Sequence, residues 1–475
     1  MTQADVVNKL WGFCQTLRHD GIGYLEYIEQ LTYLLFLKMA DERGITVPPR
    51  TGWVYLKKQS GTELMDSYAD ALRLLGKEGG LLGDIFSSAQ SRFSNPVNLK
   101  KLINLIDETE WTALDVDVKA AAFEGLLEKA ASEGKKGAGQ YFTPRILIRS
   151  VVRLMKPDPM ATKDFAIGDP ACGTGGFLVS AYEWLMKETG GALDRAVAKR
   201  IKTKTYFGQD LDPTPRRLAL MNLYLHVVEP LITRGDSIYE VPGPQRFNVV
   251  LTNPPFGTRG ANQIPEREDF TIRTANKQLN FIQHVVTILK PGGRAAVVVP
   301  DSVMFEDRAG EVFKILTEDC DLHTVLRLPN GTFTPYSPGT KTYVVFFTKG
   351  RPTTSTWLYD ARTNVPSITK KERPLTPEHF AEFEKCYGSD PNGLSHRSED
   401  DSAEGRWRIF TIEETAERDY KMDSFRWIRD ENSIQVDQLG EPEELVGQAV
   451  DELRAAIQSL DNIMSAVGAR DARKT

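Results

Sequence analysis

Cysteine and histidine are scarce: four Cys and six His in 475 residues. Cys14, Cys172, Cys320 and Cys386 lie far apart, with neither metal-ligand spacing nor the density of a disulfide framework, so no metal site is expected. Long apolar runs are missing too. The densest, Tyr33-Leu34-Leu35-Phe36-Leu37 and Ala295 to Val299, are far too short to span a bilayer. The N-terminus lacks a basic region followed by an apolar one, so no signal peptide is expected and the expected location is cytoplasmic. An excess of positive charge is also absent. The net charge is −6, unusual for a chain that binds nucleic acid unaided. From Arg351 to Thr475 there are 17 basic and 25 acidic residues, a balance of −8. The first 350 residues carry +2, so any nucleic-acid surface lies there or on a partner.

The length suggests two or three domains with sizeable cores. Residues 1–130 read as a helical N-terminal domain, in which Tyr24, Ile28, Leu31, Leu35 and Met39 recur at helical spacing. Ala120, Phe123, Leu126 and Leu127 form a second stripe. A catalytic domain is expected over 131–350 and a C-terminal region over 351–475. Tyr387 to Glu404 reads as surface loop or linker. There is no internal repeat.

The middle of the chain alternates strands, turns and helices. A polar, glycine-rich loop leads into Gln140-Tyr141-Phe142-Thr143-Pro144-Arg145 and an apolar helical run. Pro144 fits the first turn of that helix with Thr143 as its cap. Free amides and a hydroxyl at such a terminus also suit a carboxylate. The strand Asp164–Asp169 then enters Asp169-Pro170-Ala171-Cys172-Gly173-Thr174-Gly175-Gly176 and a helix, an arrangement in which small residues let a nucleoside approach the backbone. No Gly-Lys-Ser/Thr follows, so this is not a phosphate loop. The acidic residue at its head suits a ligand carrying a positive amino group. A second strand ends at Asp210, placed to take the two hydroxyls of a ribose. Asp236 follows a third apolar run and could accept from an adenine amino group. Each of these acids alone is ordinary turn chemistry. Their series, each after an expected strand, is not.

The series ends at Asn253-Pro254-Pro255-Phe256, after the buried run Phe247–Leu251. Two prolines cannot extend a central strand, so an amide and a ring are left at its C-terminal edge. An exocyclic base amine is a poor nucleophile because its lone pair is delocalised into the ring. The carbonyls of the Asn253 side chain and the Pro254 main chain could accept its two hydrogens, and Phe256 could stack on a flipped-out base. The same residues also suit a plain strand-ending turn with a packed Phe. Beyond them, Gly257 to about Lys277 reads as a candidate mobile lid. Phe333, between strands Leu322–Leu328 and Thr342–Phe347, either reaches a bound base or plugs its own loop.

Taken together, Gly139-Gln140-Tyr141-Phe142-Thr143-Pro144, the Asp169–Leu178 segment, Asn253-Pro254-Pro255-Phe256 and Leu328–Phe333 resemble the methylation subunit of a type I restriction–modification system. The resemblance covers about residues 139–348, with Trp11–Arg43 also similar. It implies an α/β fold, a Rossmann-like S-adenosylmethionine-dependent methyltransferase sheet with a helical N-terminal domain and a C-terminal helical tail. It implies S-adenosylmethionine as methyl donor and N6 of a flipped adenine in double-stranded DNA as acceptor. Gln140, Tyr141, Phe142, Thr143, Pro144, Arg145, Thr174, Gly175 and Gly176 would line the cofactor site with Asp169, Gly173, Asp210 and Asp236. Asn253, Pro254, Pro255 and Phe256 would be the catalytic group. The partners implied are a DNA specificity subunit and an ATP-dependent restriction subunit, with two copies of this chain per complex. An RNA or protein amino-group methylase, or a non-catalytic assembly subunit, are the rival readings.

One helix remains. Val446, Val450, Leu453, Ile457, Leu460, Met464 and Val467 alternate in steps of four and three between Glu441 and Gly468. That narrow seam suits a coiled coil or bundle, and residues 441–467 are expected to dock the specificity subunit.

Overall fold

Apolar residues on nearly every side make α1 (Tyr24–Glu42) a buried helix; Tyr27, Ile28, Leu31, Leu34, Leu35 and Met39 are all enclosed. The helices α2 (Trp53–Lys58), α3 (Gly61–Leu75), α4 (Gly80–Phe86) and α5 (Pro96–Asp107) follow. Asn95 caps α5, its side chain accepting from the Val97 amide, with Pro96 in the first turn. The computed structural model describes residues 8, 10–14, 17, 21–113, 123–129, 142–256, 263–334, 337, 339–400, 402, 405–422 and 425–430. Residues 123–129 are helical.

The sheet begins after α6 (Arg145–Met155). In order come β1 (Ile167–Asp169), α7 (Gly176–Glu188), α8 (Arg195–Lys204), β2 (Tyr206–Asp210), α9 (Pro213–Leu225), β3 (Leu231–Arg234) and β4 (Phe247–Thr252). Then follow α10 (Lys277–Ile288), β5 (Leu289–Pro300), a 3-10 turn over Asp301–Phe305, α11 (Ala309–Asp319), β6 (Cys320–Arg327) and β7 (Thr342–Lys349). The last elements are β8 (Ser355–Asp360), α12 (Glu378–Tyr387), β9 (Trp407–Thr411) and α13 (Ile412–Ala416).

All nine described strands form one sheet in the order β3-β2-β1-β4-β5-β7-β6-β8-β9. The first five are parallel, as βαβ crossovers require, and β7 enters antiparallel between β5 and β6. β6 and β7, consecutive in the chain, thus pair antiparallel across the loop that carries Phe333. The chain steps outward from β1 to β3 and then returns to β4 on the other side of β1. Open α/β sheets bind ligands at the carboxyl ends of strands beside such a reversal. The sheet continues past Gly350: β8 pairs parallel with β6, and β9 antiparallel with β8. Strand pairing thus does not mark the boundary that composition suggests at 350.

Two arginines of α9 strap the N-terminal helices to the sheet. The Arg216 guanidinium pairs with Asp84 at 2.6 Å and donates to the Ile232 carbonyl. Arg217 pairs with Glu29 of α1 and donates to the carbonyls of Ile85 (2.7 Å) and Ser87 (2.6 Å). Both arginines are buried, so each charge needs these partners to remain there.

The chain falls into two compact units, Met1–Ile428 and Arg429–Thr475. Of the second, only residues 429 and 430 are described, so the helix expected over 441–467 lies outside the described residues. No described helix is long and apolar enough to cross a membrane.

Candidate active site at the carboxyl ends of the strands

Four of the expected acidic and amide groups stand at successive strand ends: Asp169 closes β1, Asp210 closes β2, Asp236 follows β3 and Asn253 follows β4. A cleft with about 620 Å³ of empty space opens between them and the start of α6. Phe142, Thr143, Asp169, Gly173, Asp210 and Asn253 are among the residues lining it, with Arg145, Thr174, Gly176 and Pro255; of the other expected residues, Pro144, Gly175, Pro254 and Phe256 are not part of its lining. Asp236 lies in an adjoining hollow that shares Ala171, Asp210 and Pro255 with the first, so the two form one trough.

The turn after β1 is shaped by its glycines. Gly175 has φ +79°, a left-handed conformation that a side chain would strain, and it caps α7. A Cβ on Gly176 would come within 2.9 Å of both Arg145 Nη1 and Ile148 Cδ1. The Gly173 amide donates to Asp210 Oδ2 at 2.9 Å, and the Asp212 amide donates to Oδ1, so β2 holds the turn's backbone directly.

Asp169 is buried and accepts from the Ala171 amide; among the described residues no lysine or arginine pairs with it. Burial pushes its carboxyl up to about 7 and that of Asp210 up to about 6. Asp236 Oδ1 accepts from the Ile238 (2.9 Å) and Tyr239 (3.2 Å) amides and so shapes its own turn.

Thr143 does not cap α6. Pro144 occupies the N-cap position without a side-chain bond, and the Thr143 hydroxyl instead accepts from Asn253 Nδ2 at 2.8 Å. The hydroxyl is drawn across the cleft by the amide at the end of β4. Asn253 Oδ1 is buried with no partner among the described residues. Pro254 is buried, and Phe256 is half-buried with its ring against that of Phe333. Gln140 and Tyr141 lie outside the described residues.

The expected lid resolves into a packed segment over its described part, residues 263–276. The buried Arg267 guanidinium donates to Asp269 and to the Ser237 carbonyl and lies 4.0 Å over the Phe270 ring. A buried charge with those partners pins the segment to the turn that carries Asp236. Residues 257–262 lie outside the described residues.

Sequence reasoning missed the polar groups behind the glycine turn. Arg145 faces inward: its Nη1 donates to the Gly176 carbonyl at 3.1 Å, and it pairs with Glu124. Asn222 of α9 donates to the Thr174 carbonyl at 3.1 Å and lies 3.5 Å from Glu124 Oε1. Glu124 thus holds both donors that fix the turn's carbonyls. The signal for Asn222 was available, since it is an amide in the middle of an otherwise apolar stretch of helix. Glu124, Glu183 and His226 lie close enough together to share a cation. Glu124 already has Arg145 as counter-charge, and His226 Nε2 is 3.5 Å from Glu183.

Comparison with known proteins agrees with this geometry. A family model described as N-6 DNA methylase matches residues 114–435, and one described as the HsdM N-terminal domain matches residues 6–106. The StySJI methylase subunit of a Salmonella typhimurium type I restriction enzyme is 38% identical over 522 aligned positions, covering 99% of this chain and 97% of its own. The EcoKI methylase subunit of Escherichia coli K12 is also 38% identical, with the same coverage. The crystal structure of the EcoKI M protein superposes with a TM-score of 0.57 at 34% identity, over 98% of this chain and 96% of that one. A chain from a structural study of complex assembly and conformational transition in the type I R-M system gives a TM-score of 0.74 at 28% identity. It covers 98% of this chain and 99% of its own.

Proposed function

Since the chain belongs to the N-6 DNA methylase family, as a methylase subunit of type I restriction enzymes, we propose that its trough binds S-adenosylmethionine and presents the methyl group to a flipped adenine held by Asn253. The chain is an adenine N6 DNA methyltransferase subunit and part of a type I restriction–modification complex. A match spanning both the N-terminal and the catalytic residues sets aside the RNA- and protein-methylase alternatives.

The observation that carries the catalytic reading is the Asn253 amide: its nitrogen is engaged by Thr143 while its carbonyl oxygen is buried and, among the described residues, unpartnered. An orphaned acceptor is costly unless something else meets it. An exocyclic amine would do so, with the Pro254 main-chain carbonyl as the second acceptor. The two carbonyls withdraw the amine's hydrogens from the ring plane and localise its lone pair for attack. The half-buried ring of Phe256 supplies a face for the extruded base.

The trough also suits the cofactor. Asp169 is a buried carboxyl without a cationic partner, which a ligand's amino group would satisfy. Asp210 Oδ1 and Oδ2 each accept one backbone amide and retain lone pairs for ribose hydroxyls. Asp236 borders the adjoining lobe, where Phe281 and Leu211 make apolar walls for an adenine. Bound there, S-adenosylmethionine supplies a methyl group already activated on a sulfonium. The protein therefore needs to position and desolvate rather than to generate a nucleophile of its own.

The remaining assignments concern the complex. The acidic C-terminal region and the apolar seam over 441–467 support docking of a DNA specificity subunit there, with an ATP-dependent restriction subunit and a second copy of this chain completing the assembly. Transfer of labelled methyl groups into unmodified DNA, by the chain alone and by the chain with a co-expressed specificity subunit, tests the reading. Transfer that needs the specificity subunit, disappears in Asn253→Ala and leaves calorimetric S-adenosylmethionine binding intact is the expected result. Full transfer by Asn253→Ala would overturn it.

A further inference from the structure

We propose that Thr143 is a positioning residue for methyl transfer: it sets which way the Asn253 amide faces, and it does so fully only when a carboxylate occupies the start of α6. Cofactor occupancy and capture of the base would then be coupled through one hydroxyl. The inference rests on the reading of Asn253 given above and adds a control over it.

A side-chain amide has two orientations of nearly the same shape. In one, Asn253 turns its carbonyl to the incoming amine and accepts a hydrogen. In the other it turns its NH2 to the amine, donor against donor, and the lone pair is not localised. The observed orientation is the productive one, with Nδ2 donating to Thr143 Oγ1 at 2.8 Å and Oδ1 left buried without a partner. Rotating the amide by half a turn would let Oδ1 accept the Thr143 proton but leave the NH2 buried and unpartnered in its place, so the count of hydrogen bonds alone does not favour either orientation. A hydroxyl can donate or accept, so Thr143 alone does not select between the two.

What selects is the destination of the hydroxyl proton. Thr143 and Asn253 line the same cleft, and Thr143 immediately precedes the N-terminus of α6, whose N-cap Pro144 contributes no side-chain bond. A helix N-terminus favours an anion. A carboxylate bound there accepts only, so it takes the Thr143 proton. Thr143 is then left with lone pairs toward Asn253, which has to present Nδ2. The carbonyl is thereby held toward the base. Without the carboxylate the hydroxyl is free to donate to Oδ1, and the two amide orientations become comparable. Because such coupling is reciprocal, a bound base analogue should in turn tighten the carboxylate-bearing ligand.

The test uses the assembled methylase complex and duplex DNA in which the target adenine is replaced by the fluorescent 2-aminopurine. Two non-reactive ligands serve as probes: S-adenosylhomocysteine, which carries the carboxylate, and 5′-methylthioadenosine, which lacks it. In the wild type, S-adenosylhomocysteine should tighten binding of the flipped base by about tenfold, and 5′-methylthioadenosine by less than about twofold. Thr143→Val keeps the shape without the hydroxyl; it should lose the coupling and lower kcat by about ten- to a hundredfold. Thr143→Ser should restore both, which a merely structural defect would not allow. Equal coupling by the two ligands in the wild-type complex overturns the proposal even if Thr143→Val fails to fold. So does wild-type coupling in a folded Thr143→Val. Asn253→Ala separates the two levels. If it methylates normally the reading of Asn253 fails, whereas if it is inactive while Thr143→Val still couples, only the role of Thr143 fails.

Discussion

Phe333 stands edge-on to Phe256, with ring centroids 5.1 Å apart and planes at 82°. The two differ in exposure: Phe333 is 2% exposed, whereas Phe256 is half-buried. Phe333 is therefore the plug of its own loop and a buttress for the ring proposed to meet the base. Truncation of a buried Phe costs about 3–5 kcal/mol, so Phe333→Ala should melt well below the wild type. Phe333→Leu should stay folded but lose part of the base capture. Phe256→Ala should weaken capture strongly while leaving cofactor affinity unchanged. Fluorescence of 2-aminopurine at the target position, with calorimetry for the cofactor, checks both. Normal flipping by Phe256→Ala would remove the ring from the base site.

The role proposed for Asn253 bears on the chemical step itself. Removing one preorganised polar group at a reacting centre typically lowers kcat by about 10²–10³-fold. Asn253→Ala should therefore reduce kcat and kcat/KM together, the signature of a contact made in the transition state. Single-turnover transfer on preformed ternary complexes measures it. A rise in KM with kcat intact would make Asn253 a binding residue only.

Asp169 and Asp210 predict a pH dependence with a definite sign. Both carboxyls are raised by burial, to about 7 and about 6, above their unfolded values. The folded, empty protein then holds more protons than the unfolded chain between about pH 4 and 7, so its stability falls as pH rises through that window. A cationic amino group beside Asp169 prefers the ionised form and reverses the trend. Affinity for S-adenosylmethionine should rise from pH 5.5 toward 7.5, by at most about tenfold per unit for each group, and then level off. Asp169→Asn should bind weakly and give a flatter profile. An affinity independent of pH in the wild type would argue against an amino group at Asp169.

Much of this architecture was legible before any coordinates, for identifiable reasons. Buried parallel strands read as short apolar runs, and Pro254 and Pro255 have to end one, so the places of Asp169, Asp210, Asp236 and Asn253 followed from local pattern. The strands beyond Gly350 did not. Ser355–Asp360 and Trp407–Thr411 are mixed polar and aromatic segments at the far end of the sheet, separated by 46 residues that include α12. Their pairing depends on long-range registry that period alone does not carry. Nor was the support of the glycine turn visible, because Glu124, Arg145 and Asn222 come from three distant stretches. The role of Thr143 was misread for a related reason: a Thr before a helix is locally a cap, and only the end of β4 supplies its actual partner.

One residue from that poorly legible region should matter for base capture. The buried Arg362 follows β8 and clamps both stems of the loop that carries Phe333. Its Nε donates to the Leu328 carbonyl at 3.1 Å, Nη2 to the Thr342 carbonyl at 2.7 Å, and Nη1 to Asp301 Oδ1 at 3.1 Å. The same segment supports the start of the loop, where the Ile368 amide donates to the Asn330 carbonyl at 2.8 Å. Gly331 passes so close that a Cβ there would meet the Ile368 oxygen at 2.4 Å. Arg362→Met retains the stem but strands the buried Leu328 carbonyl, at about 1–3 kcal/mol, and leaves the Thr342 carbonyl with only the Leu328 amide, at 3.1 Å. Lysine cannot reproduce the forked geometry, so Arg362→Lys should recover only part of the loss. The proposed cofactor trough is built on β1, β2, β3 and β4, and none of the residues held by this clamp lines it, so S-adenosylmethionine affinity should not change. Flipping of 2-aminopurine and KM for DNA should worsen as the buttress behind Phe256 loosens. A variant that melts lower yet flips the base as well as the wild type would show that Arg362 stabilises the fold without positioning Phe333.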